Sequence, residues 1–582
     1  MTFIGWIFFF LSIQLIHFLG TWKLYQKAGK KPWQAIVPVY NALILMKIMN
    51  RPWWWVLLLF IPVINLLMFP VIWVETARSF GKNKLVHTLL AIFSLGFFNF
   101  YLNYFSKDLV YQENRSSKPT SELGEWLSSI VFAVIVATLV HSYFIQPYTI
   151  PTSSLEKSLL VGDFLFVSKF HYGVRTPMTP ISAPMVHDTL PLINTKSYLY
   201  DDDIKAANTS WKNKLQLPYF RLPGIQDIKR NEIVVFNWPA DTVRWFFDPS
   251  SIHKNKPIDK RSNYVKRCVG IPGDTLEIKG GYVYINGEKT VFSDRVKTQY
   301  MHIVEFNDFI DPSIIDRYHI KEYNPVYSVR TELWENQKYQ KYIGELEKKN
   351  QAFLKILKKD TLRVELWGGI VEQQAKKLEI VRFPNKLRVN LTDAEALDLM
   401  KNTSVKSITK HLKAKDEFEA KIFPHSEHYS WNQDHYGPIS IPKKGATVEL
   451  SKEALPLYQR IIETYEGNEL EIRDDAIYIN GNIAKKYTFK QDYYWLMGDN
   501  RHNSEDARYW GYVPYDHVIG KPIFIWMSYD GSQKSVIDKI RWERLFTTVH
   551  GTGKPISFFW YFLGAIFIKF GYDYYRKRTK KE

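Results

Sequence analysis

The chain has 582 residues, too many for one ordinary domain and enough to bury a sizeable core. Hydrophobic residues make up 46% of it, unevenly spread, and the single cysteine, Cys268, excludes an intramolecular disulfide and a multi-thiolate zinc site. A net charge of +18 in a soluble protein would suggest nucleic acid, but here many cations flank apolar runs, which points instead to anionic lipid and topology.

Thr2 to Leu19 is the first apolar span; it lacks a basic leading region and an Ala-x-Ala site, so it reads as a retained helix. Trp53 to Glu75, opened by three tryptophans, and Leu85 to Phe105 read as two more, and Trp126 to Ile145 is the cleanest. Ile556 to Ile568 is short for a span, although a snorkelling Lys569 extends it to about Tyr572; an interfacial helix is the alternative. Lys23, Lys27, Lys30, Lys31, Lys47 and Arg51 follow the first span without an acidic residue, and the tail carries Lys569, Arg576, Lys577, Arg578, Lys580 and Lys581. Both segments are expected to be cytoplasmic. Four spans from an outside amino terminus satisfy this and put Ser154 across the membrane, but leave Arg78, Lys82 and Lys84 outside, against the rule.

From about residue 160 the grammar is that of strands and turns: Phe164 to Val167, Ile233 to Phe236, Tyr282 to Ile285 and Ile523 to Trp526 are short apolar runs cut by Gly, Pro, Asn and Asp. Asn286-Gly287 and Asn480-Gly481 are two-residue hairpin turns. They sit in similar surroundings: Leu276-Glu277-Ile278 with Tyr284-Ile285 recurs as Leu470-Glu471-Ile472 with Tyr478-Ile479, either as two similar hairpins bracketing an insertion or as convergence on a common pattern. The segment between mixes helix-like and strand-like stretches; Thr392 to Thr403 opens like a capped helix, and nothing in it looks catalytic. His425 and His428 form a loop pair of a kind more often solvated than metallated, so no metal and no cofactor is expected. Trp245-Phe246-Phe247 is an apolar triplet in a polar stretch, either a buried strand end or a loop that dips into the outer leaflet.

Three short patterns carry chemistry. Ile150-Pro151-Thr152-Ser153-Ser154-Leu155, with Leu159 to Asp163 behind it, starts about five residues after the cleanest apolar run. Tyr264-Val265-Lys266-Arg267-Cys268 reads as a strand leading to Gly270-Ile271-Pro272-Gly273-Asp274. Met497-Gly498-Asp499-Asn500-Arg501 runs on through Ser504, Asp506 and Arg508 to Gly511. A serine hydroxyl needs a base beside it, and a lysine serves when burial disfavours its ammonium form. Lys266 has apolar neighbours on a strand; Arg267, on the opposite face, need not share that burial. Alone, each residue fits a surface lysine or a loop serine, and the joint order carries the reading.

That order resembles the type I signal peptidases, membrane serine proteases of exported preproteins. The resemblance covers about 125–290 and 438–545 and implies a mainly β catalytic domain with a mixed α/β insertion, plus transmembrane α-helices. It implies Ser154 as nucleophile and Lys266 as general base, with the Thr152 hydroxyl and the Ser154 N–H as oxyanion donors, each worth about 3–4 kcal/mol. Ser504 matches a serine that orients the lysine, Asp506 and Arg508 a structural ion pair, and Asp499, Asn500 and Arg501 complete the box. Tyr148, Ile150 and Val265 match positions that line pockets for small residues at −1 and −3 of the substrate. The implied partners are signal peptides, the bilayer and the secretion translocon, with no nucleic acid. The implied place is the bacterial cytoplasmic membrane with the catalytic domain outside. The chain departs from the pattern at Leu155, Glu156-Lys157, His502 and Cys268. Gly437 to Gly445 and the long insertion look like the form found in Bacteroidota.

The expected organisation is an amino-terminal helical region (1–110), an anchor helix (125–145), a catalytic domain in two parts (146–294 and 438–545) around an insertion (295–437), and a carboxy-terminal membrane segment (554–582). Two other readings compete. A self-cleaving repressor-type protease shares the β fold, but the amino-terminal spans and the lack of a DNA-binding module argue against it. A non-enzymatic membrane or translocon accessory would fit the first 110 residues.

Overall fold

The computed structural model describes residues 3–116, 121–191, 193–207, 209–242 and 253–579; the Trp245-Phe246-Phe247 triplet lies outside them. Among these, the helices Phe3–Lys27 (α1) and Glu122–Tyr143 (α2) are long and apolar enough to cross a membrane. The other two expected amino-terminal spans are broken. The Trp53 to Glu75 stretch divides into Trp55–Leu58 and Ile64–Ser79, with Val63 between them at φ 69°. The Leu85 to Phe105 stretch divides into Leu85–Phe93 and Phe98–Tyr104, bent by 111° where Leu95 and Gly96 take positive φ.

Packing explains the second break where apolar length could not. A Cβ on Gly96 would lie 2.6 Å from the Trp73 ring, so the turn there closes against the preceding helix. Past the turn, Asn103 docks on α1: its amide donates to Leu19 O (3.0 Å), and its oxygen accepts from the N–H groups of Lys23 (2.9 Å) and Leu24 (3.1 Å). At the other end of the chain, Phe559–Thr579 (α3) runs further than the apolar stretch suggests. It carries Lys569, Asp573 and Arg576 and is not among the helices apolar enough to span.

The chain leaves α2 directly into a sheet. Its main strands are Ile145–Thr149 (β1), Asp163–Ser168 (β2), Ile233–Asn237 (β3), Asn263–Gly270 (β4), Tyr493–Met497 (β5) and Val518–Ser528 (β6). Their order is β1-β2-β6-β3-β4-β5, antiparallel throughout, with Val513–Pro514 beyond β5. The strand β3 is covered on both faces: Ile233 and Val235 join Ile150, Leu155 and Leu165 in one core, and Val234 and Phe236 join Cys268, Leu496 and Trp510 in another. Its partner β4 is therefore central too, and this buries Lys266.

Residues Gln299–Lys410 build a separate six-stranded antiparallel sheet, in the order Ala352–Lys359, Arg363–Ile370, Tyr323–Arg330, Val381–Thr392, Gln299–Phe306, Val405–Lys410. Thr392 caps the helix Asp393–Leu399 in a reciprocal box with Glu395. The two similar sequences form the same three-stranded meander. Leu276 pairs with Ile285 as Leu470 pairs with Ile479, and Asn286 bonds back to Thr275 as Asn480 does to Glu469. Both turns place Asn and Gly at positive φ, and both meanders feed one core around Trp495 and Tyr436.

Candidate active site

The serine loop is closed by backbone pairing at its base: Ile150 N–H donates to Asp163 O and Gly162 N–H to Ile150 O, both at 2.9 Å. Gly162 holds φ +87°, and a Cβ there would sit 1.9 Å from Tyr529 O, so the close approach requires glycine. Asp163, fully buried, accepts from Leu160 N–H (2.8 Å) and Ser528 Oγ (2.6 Å) and pairs with Arg544. Thr152 then precedes a short 3₁₀ turn, Ser153–Leu155, that presents Ser154.

Ser154 and Lys266 line one cleft of about 730 Å³ with Thr152, Tyr148, Ile150 and Val265. Lys266 is 3% exposed and lies on β4 opposite Val234, with its amine 5.5 Å from the Tyr264 ring. Burial pulls this amine down to about 8, against the opposing pull of the Asp506 and Glu505 carboxylates. The amine therefore passes from charged to neutral in the mildly alkaline range.

The Gly-Asp-Asn-Arg box forms the next wall. A Cβ on Gly498 would meet Ser504 Oγ at 2.2 Å and Ser154 O at 2.6 Å, so glycine lets the box press against the serine loop. Asn500 N–H donates to Ser154 O (3.0 Å) and its side-chain amide to Ser153 O (3.2 Å). Asp506 accepts from Gly498 N–H (3.0 Å) and pairs with Arg508 at 2.8 and 2.9 Å; Arg508 also donates to Arg501 O (2.6 Å). The Ser504 hydroxyl is buried and finds no partner among the described residues, so no bond from it to Lys266 is seen. The three guanidinium nitrogens of Arg501 are likewise buried without a partner, above the Phe292 ring at 5.8 Å.

One expectation changes, and one departure from the pattern acquires partners. Arg267 is buried, at 4% exposed, because β4 has strands on both sides. Its charge is met by a bidentate pair with Asp499 at 2.7 and 2.6 Å and a bond to Asn231 O (2.6 Å). His502 is no passive box residue: its Nδ1 accepts from Met301 N–H (2.9 Å), so Nε2 carries the proton to Asp434 (2.7 Å). His425 bonds its own loop at Ala420 O, and the described residues hold no cluster with metal-ligand character. The sequence reading missed His187, Asp188, Lys256, Lys260, Asn503 and Glu505, which also line the cleft. Asn503 and Glu505 had a signal, since they lie inside the box; the others come from two separate segments with no motif.

A serine and a buried lysine lining one cleft are the parts that a serine peptidase needs. Residues 123–321 and 482–527 match the family model described as signal peptidase, peptidase S26, and residues 33–114 match a family of unknown function, DUF5684. Signal peptidase I of Helicobacter pylori strain J99 is 31% identical over 441 residues, 74% of this chain and 94% of its own. That of Haemophilus influenzae is 21% identical over 452 residues, 76% of this chain and 80% of its own. That of Pseudomonas aeruginosa is 28% identical over 168 residues, 29% of this chain and 38% of its own. The chain belongs to the type I signal peptidases and is a serine endopeptidase, which removes the non-enzymatic reading.

Proposed function

We propose that the chain removes amino-terminal signal peptides from exported preproteins at the outer face of the cytoplasmic membrane, with Ser154 and Lys266 as its dyad. The neutral Lys266 amine takes the proton of Ser154 Oγ as that oxygen attacks the scissile carbonyl. The Ser154 N–H and the Thr152 hydroxyl face the developing oxyanion. Lysine then returns the proton to the leaving amine, the acyl-enzyme forms, and water deacylates it by the same route in reverse. Tyr148, Ile150 and Val265 take the small residues at −1 and −3, and Ser504 orients the amine once substrate excludes water. The observation that carries this reading is a buried amine, drawn down to about 8, in the same cleft as a serine held just beyond a membrane helix. The test is cleavage of a preprotein with small residues at −1 and −3 by the full-length protein in vesicles. Ser154→Ala should lose nearly all turnover while keeping its melting temperature; a Ser154→Ala protein that still cleaves would contradict the assignment.

The two straight helices also favour one orientation. If α1 and α2 cross and the broken pairs between them enter and return, every cation from Lys23 to Arg115 falls on one side and Ser154 on the other. This removes the misfit of Arg78, Lys82 and Lys84 under a four-span count. The bilayer and the translocon are the expected neighbours. Native Cys268 is buried, so single cysteines at exposed Gln26 and Asn286 report cleanly to an impermeant reagent. Labelling of Asn286→Cys alone is expected in intact cells; labelling of Gln26→Cys alone would reverse the orientation.

A further inference from the structure

The loop that carries Ser154 is braced on one side by the box, and the box is braced in turn by the insertion. Glu322 lies just before the insertion strand Tyr323–Arg330 and is half-buried. Its carboxylate accepts from the side-chain amide of Asn500 (3.1 Å to each oxygen), from that of Asn390 (3.1 Å) and from that of Asn503. The same two box asparagines hold the serine turn: Asn500 donates to Ser153 O (3.2 Å), and Asn503 donates to Ser153 Oγ (2.9 Å). Asn500 Oδ1 accepts from Asn390 Nδ2 (2.8 Å). This is the amide orientation in which each of these contacts of Asn500 pairs a donor with an acceptor.

The contacts on the far side of Ser154 repeat the pattern. Glu156 O accepts from Gln299 Nε2 (2.7 Å), Ser158 Oγ accepts from Lys297 N–H (3.0 Å), and Lys157 donates to Glu395 (2.6 Å) and to Tyr318 O (3.3 Å). Glu395 is itself held by the Thr392 cap. His502 reaches Met301 of the insertion strand Gln299–Phe306. Lys157 and His502 are thus departures from the family pattern that contact the insertion. Beyond its own amino-terminal end at Lys297, Gln299 and Met301, the insertion meets the residues around Ser154 through Tyr318, Glu322, Asn390 and Glu395.

We propose that Glu322 is a positioning residue for this loop, acting through Asn500 and Asn503, and that the insertion completes the active site. The inference rests on the reading of Ser154 as nucleophile. A carboxylate facing three amide donors fixes both asparagines at once, and they fix the Ser153 backbone and hydroxyl from which the Ser154 Oγ direction follows. Loss of that hold misaligns the nucleophile without touching Tyr148, Ile150 or Val265, so it separates rate from binding.

The test uses the full-length protein in vesicles with the same preprotein, and Ser154→Ala beside each variant. Glu322→Ala should lower kcat at least tenfold with KM within twofold of wild type. Glu322→Asp, which keeps both acceptor oxygens, should recover part of the loss. Asn503 is exposed, so Asn503→Ala is safe for folding and should lower kcat in the same direction. The double variant Glu322→Ala/Asn503→Ala should be little worse than the poorer single, because both act through one chain of bonds. Wild-type kcat in both singles, or losses that simply multiply in the double variant, would overturn the proposal while a dead Ser154→Ala leaves the dyad standing. An active Ser154→Ala would overturn the dyad and this proposal with it.

Discussion

The amino-terminal helices and the active-site region both bury polar side chains, and Asn103 and Asn41 in the one are used differently from Ser504 and Lys266 in the other. Asn103 bonds the α1 backbone with its oxygen twice and with its amide once. Asn41 donates to Gln14 and to Ala35 O and accepts from Ala42 N–H. These groups are occupied, and what they do is hold helices together. Beside the cleft the Ser504 hydroxyl is buried without a partner among the described residues, and Lys266 sits under apolar and aromatic cover with its amine near an aromatic ring. A buried polar group left unoccupied costs stability, and it is available to substrate. Among the described residues Trp6 Nε1, His87 Nδ1 and Asn99 Oδ1 of the helical region are also buried without a partner, so a vacant polar atom marks chemistry only where a cleft and a buried amine accompany it.

The largest effect expected from this contrast is at Lys266. Lys266→Met fills the same apolar space without the amine. Turnover should fall by a factor of about a thousand or more, while the melting temperature stays level or rises. A variant that is inactive because it no longer folds would remove the contrast. Next comes Asp499→Ala, which strands the buried Arg267 charge and should cost about 3–5 kcal/mol in denaturant unfolding. A loss under about 1 kcal/mol would mean that the pair is solvated. In the helical region, Asn103→Leu leaves Leu19 O and two N–H groups unpaired, at about 1–3 kcal/mol for each group that stays dry. It should lower the melting temperature of the protein in detergent without moving the pH dependence of cleavage. A shifted pH profile would place that region inside the catalytic mechanism.

The smallest effect is the most specific. Glu505 lines the cleft, and its carboxylate favours the charged form of Lys266. Glu505→Gln removes that pull, so the amine deprotonates more easily and the acid limb of kcat/KM should move to lower pH. An unmoved limb would mean that the carboxylate is too well solvated to act on the lysine.

Much of the β domain was legible because its determinants are local. Ile233 to Phe236 and Tyr282 to Ile285 are strands where the apolar runs stand, and Asn286-Gly287 and Asn480-Gly481 turn with positive φ. The three motifs lie far apart in the chain and line one cleft, so their order already carried a long-range relation. The breaks within the two middle apolar stretches were less legible for the converse reason. Apolar length says that a segment prefers lipid, but the turn at Leu95-Gly96 closes against Trp73, a contact that no periodicity records, and the break at Val63 stands next to Pro62. Glu322 left no signal at all, since a lone glutamate in a mixed segment acquires its meaning only when Asn500 and Asn503 arrive beside it.

The central claim is that a buried lysine, not a histidine or a metal, takes the proton from Ser154. The most direct measurement is kcat/KM for preprotein cleavage between pH 6 and pH 10, for wild type and His502→Ala, each with and without EDTA. With burial holding the Lys266 amine at about 8, activity should rise as the pH climbs through that value and the amine becomes neutral. Neither the histidine variant nor the chelator should move that limb. An acid limb near 6.5 that moves or vanishes in His502→Ala, or activity lost on chelation, would contradict the assignment.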